Sequence, residues 1–296
     1  MADRTAQAFR AAAAVLRGLP EPMARELALV GARGYGWRNA GARAQVERNL
    51  RRVHGPSFDG LALRRAVRQT FESYGRYWAE SFRLPGTPPV ELDARFTIVG
   101  RPHLEAALDG GRGAIIALPH LGGWEWAGFW MASVWKHPIS VVVEALEPIE
   151  VFEWFKDLRE QLGMQVIQLG PDAGTLVVRA LKANHVVCLL SDRAIGEGGV
   201  DVEFFGERTM LPAGPATLAL RTGAPLLPTA TYFRGRMHEG VVRPPIPITR
   251  EGRLRDDVAR VTQLLAHELE GLIRAAPEQW HLLQPNWPSD PGYRAS

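Results

Sequence analysis

Cysteine is nearly absent from this 296-residue chain: Cys188 stands alone, inside the apolar run Val186 to Leu190. One cysteine excludes an internal disulfide, which fits a reducing compartment. Apolar surroundings raise a thiol pKa, so Cys188 reads as core rather than nucleophile. Lysine is also scarce, occurring only at positions 136, 156 and 182, so the basic side chains are almost all Arg. Arg binds oxyanions through a planar fork and suits phosphate recognition. Long apolar runs are missing: the longest are about 5–8 residues, against roughly 20 needed to span a bilayer. Arg10 and Arg17 interrupt the N-terminal alanines, so no signal peptide is expected. No Gly-x-Ser-x-Gly elbow, P-loop or Gly-x-Gly-x-x-Gly pattern occurs. Serine-nucleophile, NTP and NAD chemistry therefore lose support. Nothing points to nucleic acid, and no Cys/His cluster suggests a metal.

What is present begins with helices. Residues 1–84 read as a basic amphipathic helical region, and positions 1–52 hold ten Arg against four acids. Such helices at one end of an enzyme suit an anionic membrane surface; a solvated cap on the catalytic domain is the alternative. From residue 85 to 296 strand and helix patterns alternate. Strands are expected at 96–99, 113–118, 139–143, 166–168, 186–191 and 226–233. Helices are expected between them, and a last one over 256–275. This alternation predicts an α/β domain with a largely parallel central sheet flanked by helices, preceded by the helical extension.

The segment Pro119-His120-Leu121-Gly122-Gly123-Trp124-Glu125 holds the chemistry. It joins a base, an acid and a strand-to-helix corner. His120 in the turn and Glu125 in the first helical turn could meet across the Gly122-Gly123 bend. A His oriented by a carboxylate can take a proton from an alcohol at neutral pH. Packing of His120 on Trp124 is an equal alternative on spacing alone. With no covalent nucleophile in view, direct transfer from a bound donor to a bound alcohol is the economical idea. Three further segments follow strands or open a helix: Glu144 in Val143 to Pro148; Ser191-Asp192-Arg193 with the glycines Gly196, Gly198 and Gly199; and Leu211 to Ala216. Ends of parallel strands are where α/β sheets bind ligands, and helix starts receive anions.

Taken in order, these segments resemble the lysophospholipid acyltransferase superfamily, in the branch of the lipid A late acyltransferases and phosphatidylinositol mannoside acyltransferases. The His-x4-Asp/Glu motif falls on His120 and Glu125, and the Asp-Arg block on Asp192-Arg193. The Phe-Phe-Gly block falls on Phe204-Phe205-Gly206, the Pro-Ala-Gly-Pro block on Pro212 to Pro215, and the closing motif on Pro277-Glu278-Gln279-Trp280-His281. Glu125 stands where this branch often carries Asp. The resemblance implies an acyl-CoA-dependent O-acyltransferase without a bound cofactor, peripheral on the cytoplasmic face of the cell membrane. Its partners would be acyl-CoA and a mannosylated phosphoinositide glycolipid, palmitoyl passing to a mannose 6-hydroxyl. Another glycolipid or a lysophospholipid is the alternative acceptor. His120 would be the general base and Glu125 its orienting group. Glu144, Arg159, Asp192, Arg193, Phe205, Gly206 and Gly214 would bind substrate. Trp124, Phe129 and Trp130 would wall an acyl groove, with packing of a buried helix face as the other reading of all three.

Overall fold

The computed structural model describes residues 2–144, 149–195 and 199–293. Gly196, Gly198 and the stretch 145–148 of the Glu144 segment lie outside the described residues.

Four helices come first: α1 (Ala2–Gly18), α2 (Glu21–Arg38), α3 (Ala40–His54) and α4 (Gly60–Arg83). Prolines at the start of α2 fit its first turn, where a backbone N–H has no helical partner to lose. Asn39 caps α3 by accepting the Ala42 N–H at 2.9 Å. The alternating part follows with α5 (Pro89–Ala94), β1 (Phe96–Val99), α6 (Arg101–Asp109), β2 (Ala114–Leu118) and α7 (Trp124–Trp130). A π-helical turn, Met131–Trp135, extends α7. Next come β3 (Ile139–Val143), α8 (Ile149–Gln161), β4 (Met164–Gln168), α9 (Ala173–Lys182) and β5 (Val186–Leu190). The chain then forms β6 (Gly199–Phe204), β7 (Glu207–Pro212), α10 (Gly214–Thr222), β8 (Leu226–Arg234), β9 (Met237–Val242) and α11 (Leu254–Arg274).

Seven strands form one sheet in the order β1-β9-β8-β2-β5-β3-β4. All pairs are parallel except β8 with β9, so the expected α/β class with a largely parallel sheet is what the chain adopts. Every residue of β2 is buried, because helices cover both faces of a parallel sheet. Its side chains alternate accordingly. Ile115 and Ala117 join the core under α9, α10 and α11. Ala114, Ile116 and Leu118 join the core under α6 and α7. Among the described residues, no helix is long and apolar enough to cross a membrane.

Three elements differ from the sequence expectation. The polar segment after the Arg193 loop is a two-stranded antiparallel hairpin, β6 with β7. Phe205 and Gly206 form its two-residue turn, both at positive φ (53° and 75°), the backbone that suits the right-handed twist of a hairpin. The sheet also carries an unexpected strand, β9.

Gly122 is held by two constraints. Its φ is +61°, and a Cβ there would stand 2.0 Å from the Thr231 carbonyl oxygen. Substituting Ala should therefore destabilise the protein by on the order of 2–4 kcal/mol through clash and strain. Urea unfolding of Gly122→Ala checks this; a loss below about 0.5 kcal/mol, the size of an ordinary surface change, would show that the loop simply shifts aside.

Candidate active site

Parallel pairing decides which groups meet. In the β2–β5 register Leu118 lies beside Leu190, and the pairing continues one step further through Ser191 N–H to the Leu118 carbonyl at 2.8 Å. Two residues past each strand, His120 and Asp192 therefore stand level at the carboxyl edge of the sheet. The Asp192 carboxylate accepts from His120 Nδ1 at 2.7 Å and from the His120 backbone N–H at 3.0 Å. Trp280 Nε1 donates to the same carboxylate at 2.8 Å, and Asn286 Nδ2 holds the Asp192 carbonyl at 3.0 Å.

This corrects the expectation for Glu125. His120 does sit in the turn before α7, and Glu125 does sit in the first turn of α7, but the carboxylate on His120 Nδ1 belongs to Asp192. Glu125 instead forms an ion pair with Arg159 of α8, whose Nε reaches Oε2 at 3.3 Å and whose Nη2 bonds Oε1. Tyr77 of α4 adds a long contact of 3.5 Å to the same carboxylate. The i to i+5 spacing turns Glu125 toward α8, while the sheet register supplies Asp192 from a strand 72 residues further on.

Asp192 is fully buried. Burial alone would raise its carboxyl, but His120, Trp280 and the His120 backbone N–H outweigh that and hold it below the usual carboxylate range. An ionised carboxylate only accepts, so Nδ1 of His120 carries the proton and Nε2 is left with a free lone pair. That is the tautomer of a general base.

His120 opens on a cavity of about 460 Å³. Its lining is largely apolar: Trp78 from α4, Val142 from β3, Phe152 and Phe155 from α8, and Leu189 and Leu190 from β5. It also carries Glu144, Arg159, Arg193, His281 and Gln284, with Gly214 at the start of α10. Glu144 and Arg193 pair at 3.2 Å. Of the expected site residues, His120, Trp124, Glu144, Arg159, Arg193 and Gly214 thus line one cavity.

Four do not. Phe129 and Trp130 are 0% and 5% exposed, within the core that covers one face of the sheet. Trp130 Nε1 donates to Asp93 there at 2.9 Å, so packing is the reading that holds for both. Only Trp124, one turn earlier on α7, faces the cavity. Phe205 is buried against Trp280, and Gly206 turns the hairpin, so neither borders the cavity. Cys188 packs against the same core as Phe129, and burial pushes its thiol up to about 12, which leaves it no role as a nucleophile.

Sequence reading missed the frame. The C-terminal segment pairs with the His120 loop: Gly122 N–H donates to the Gln279 carbonyl at 2.9 Å, and His281 N–H to the His120 carbonyl at 2.7 Å. Helix α3 grips the tail in turn, through Asn49 to the Leu282 carbonyl at 2.8 Å and Gln45 to Asp290 at 2.8 Å. Tyr74, Tyr77 and Trp78 of α4, which the reading of residues 1–84 as helical does not single out, line the site. The aromatic cluster in α4 and the Trp280-His281 pair were the available signals.

The sequence profile of the bacterial lipid A biosynthesis acyltransferases matches residues 5–289. The chain belongs to this family. The phosphatidylinositol mannoside acyltransferase of Mycolicibacterium smegmatis is 40% identical over 280 residues, which cover 93% of this chain and 89% of that protein. Proteins of the same name from Mycobacterium tuberculosis, strains CDC 1551 / Oshkosh and H37Rv, are 42% identical over 292 residues, covering 96% of this chain and 88% of theirs. The chain is an acyltransferase, as the ordered motifs imply.

The acyltransferase holds a second imidazole beside the first. His281 bonds Ser73 through Nε2 at 2.8 Å, and burial drives its pKa down to about 3, with His120 adding to the effect. Its folded pKa thus lies below the unfolded value of about 6.5, so the unfolded chain takes up a proton that the native chain refuses. Stability is lost as pH falls below that unfolded value. Between pH 7 and pH 5 the wild type should lose about 2 kcal/mol more than His281→Gln, measured by urea unfolding at each pH. Equal losses would show that His281 takes up its proton in the native state.

Proposed function

We propose that this acyltransferase moves a long-chain acyl group, palmitoyl in the simplest case, from acyl-CoA to the 6-hydroxyl of a mannose on phosphatidylinositol mannoside. The observation that carries the reading is the Asp192–His120 pair, with His120 lining a cavity that is largely apolar. The names of the relatives supply the acceptor.

The steps balance without a covalent intermediate. His120 Nε2 takes the proton of the mannose hydroxyl, and the oxygen attacks the thioester carbonyl carbon. The C–S bond then breaks, and the departing CoA thiolate takes the proton back from the imidazolium. Asp192 fixes the ring and offsets the positive charge that develops on it, as the third member of a triad does. The apolar wall accepts the acyl chain, and Glu144 and Arg193 offer an acceptor and donors to sugar hydroxyls or to the donor's polar part. Arg159, neutralised by Glu125, shapes that side of the cavity.

Transfer of radiolabelled palmitoyl from its CoA ester to purified phosphatidylinositol mannoside tests the assignment. His120→Ala and Asp192→Asn should each lower kcat by about 10²–10⁴. A folded His120→Ala variant that turns over at near wild-type rate would remove the base, and with it the proposed chemistry.

We also propose that the N-terminal helices seat the enzyme on a lipid surface. Met23, Leu27, Val30 and Trp37 follow one face of α2 at helical spacing, and all are exposed, Trp37 by 78%. Arg33 and Arg38 lie on the same helix, and basic side chains beside an apolar stripe suit an anionic membrane. Exchanging Leu27 and Trp37 for Glu should weaken binding to anionic vesicles more than tenfold, since each apolar side chain contributes about 1.5–3 kcal/mol when buried. Unchanged flotation with such vesicles would leave the stripe without a lipid role.

A further inference from the structure

A second cavity, of about 200 Å³, lies where α1, α2 and α4 meet the α/β body. It shares no lining residue with the catalytic cavity. Trp124 faces one of the two and Trp126 the other, across α7. Its wall holds Arg17, Arg25, Arg76, Arg83, Arg95 and Arg236 against three glutamates. Six cations less three anions leave an excess of three positive charges around a small volume.

The ion pairs show which cations form that excess. Glu80 pairs with Arg76 at 2.7 Å, Glu91 with Arg95 at 3.2 Å, and Glu21 with Arg95 at 3.3 Å and Arg236 at 3.4 Å. The remaining three have no carboxylate partner among the described residues. Arg17 donates through Nε to the Phe82 carbonyl at 2.6 Å. Arg83 donates through Nη1 to the carbonyls of Leu16 and Leu19, the latter at 2.7 Å. These bonds leave Nη1 and Nη2 of Arg17 and Nη2 of Arg83 unspent, and they fix both guanidinium planes. The Arg25 side chain makes no hydrogen bond or ion pair with any described residue.

Three like charges facing one small cavity repel one another, and their free N–H forks match the oxygens of a phosphate in number and geometry. A neutral ligand would leave these charges uncompensated and a single carboxylate would balance one of the three, whereas a phosphate or diphosphate carries two or more negative charges. We propose that this cavity is a separate anion site that takes a phosphate ester or diphosphate, bridging α1, α2 and α4 at the joint with the catalytic body. The phosphate belongs either to a soluble compound or to a lipid headgroup.

Isothermal titration of the full-length protein with inorganic pyrophosphate at low ionic strength tests the site. Wild type should bind saturably at one site. The double variant Arg17→Gln/Arg25→Gln should bind at least tenfold more weakly, while Arg193→Gln, in the catalytic cavity, should bind as wild type does. Thermal melting without ligand verifies that each variant is folded, and Arg25→Gln alone serves if the double variant is not, with a weakening of threefold or more expected. Absence of saturable binding, indifference to the Arg17/Arg25 changes, or loss with Arg193→Gln would overturn the proposal. Given saturable binding, competition on phosphatidylinositol vesicles assigns the source. Displacement by pyrophosphate points to a headgroup, and simultaneous binding to a soluble phosphate; both keep the site. Since the readout is anion binding, it stands or falls independently of acyl transfer by His120.

Discussion

Everything at the active site leans on one buried carboxylate. Asp192 is removed from solvent and pairs with no Lys or Arg among the described residues; its negative charge rests on N–H donors from His120 and Trp280. An anion so placed is expensive to bury, and the expense is offset by charge-assisted bonds that also lock the His120 ring. Removing any donor would both weaken the anion and loosen the base. The interaction therefore holds the structure together and, in the proposed mechanism, the base as well, and the surrounding segments can be understood as the means of delivering those donors.

Delivery takes three distant parts of the chain. Strands β2 and β5 bring His120 and Asp192 level through a shared register. The C-terminal segment contributes Trp280 and Asn286 and pairs its backbone with the His120 loop. Helix α3 holds that segment from behind, where Arg52 lies 4.1 Å over the Trp287 ring and bonds Asp290 at 2.8 Å. The N-terminal helices are thus fastened to the catalytic frame, and α4 lends the site an aromatic wall.

What could be read in advance depended on whether the signal was local. Residues 114–118 form an unbroken apolar run between glycine-rich turns, and a centre strand buried on both faces has no other pattern. The His120 corner was equally legible, because Gly122 and Gly123 mark a bend that few residues tolerate. The partner of His120 was not, since nothing in positions 120–125 says that β5 will lie beside β2 rather than β3. Phe205-Gly206 was read as ligand-binding because its neighbours matched a motif, whereas the Val202/Phe204 alternation with Asp201 and Glu203 was the signature of a hairpin. Strand β9 is hidden in the sequence by Glu239 and Gly240, residues of weak strand preference that the sheet accepts because β8 and β1 pair on either side. Phe129 and Trp130 misled for a related reason: on a helix wrapped by α5 and the sheet, an aromatic stripe is buried whether or not a cavity adjoins.

The position of Trp280 in this scheme carries a consequence for biosynthesis. His120 and Asp192 leave the ribosome before Trp280 does, and neither has its frame at that stage. Only when the final segment emerges can Trp280 cap the carboxylate and the His281 backbone close on the loop. A chain without residues 277–290 would therefore hold His120 and Asp192 but lack the donor and the backbone bonds that fix them.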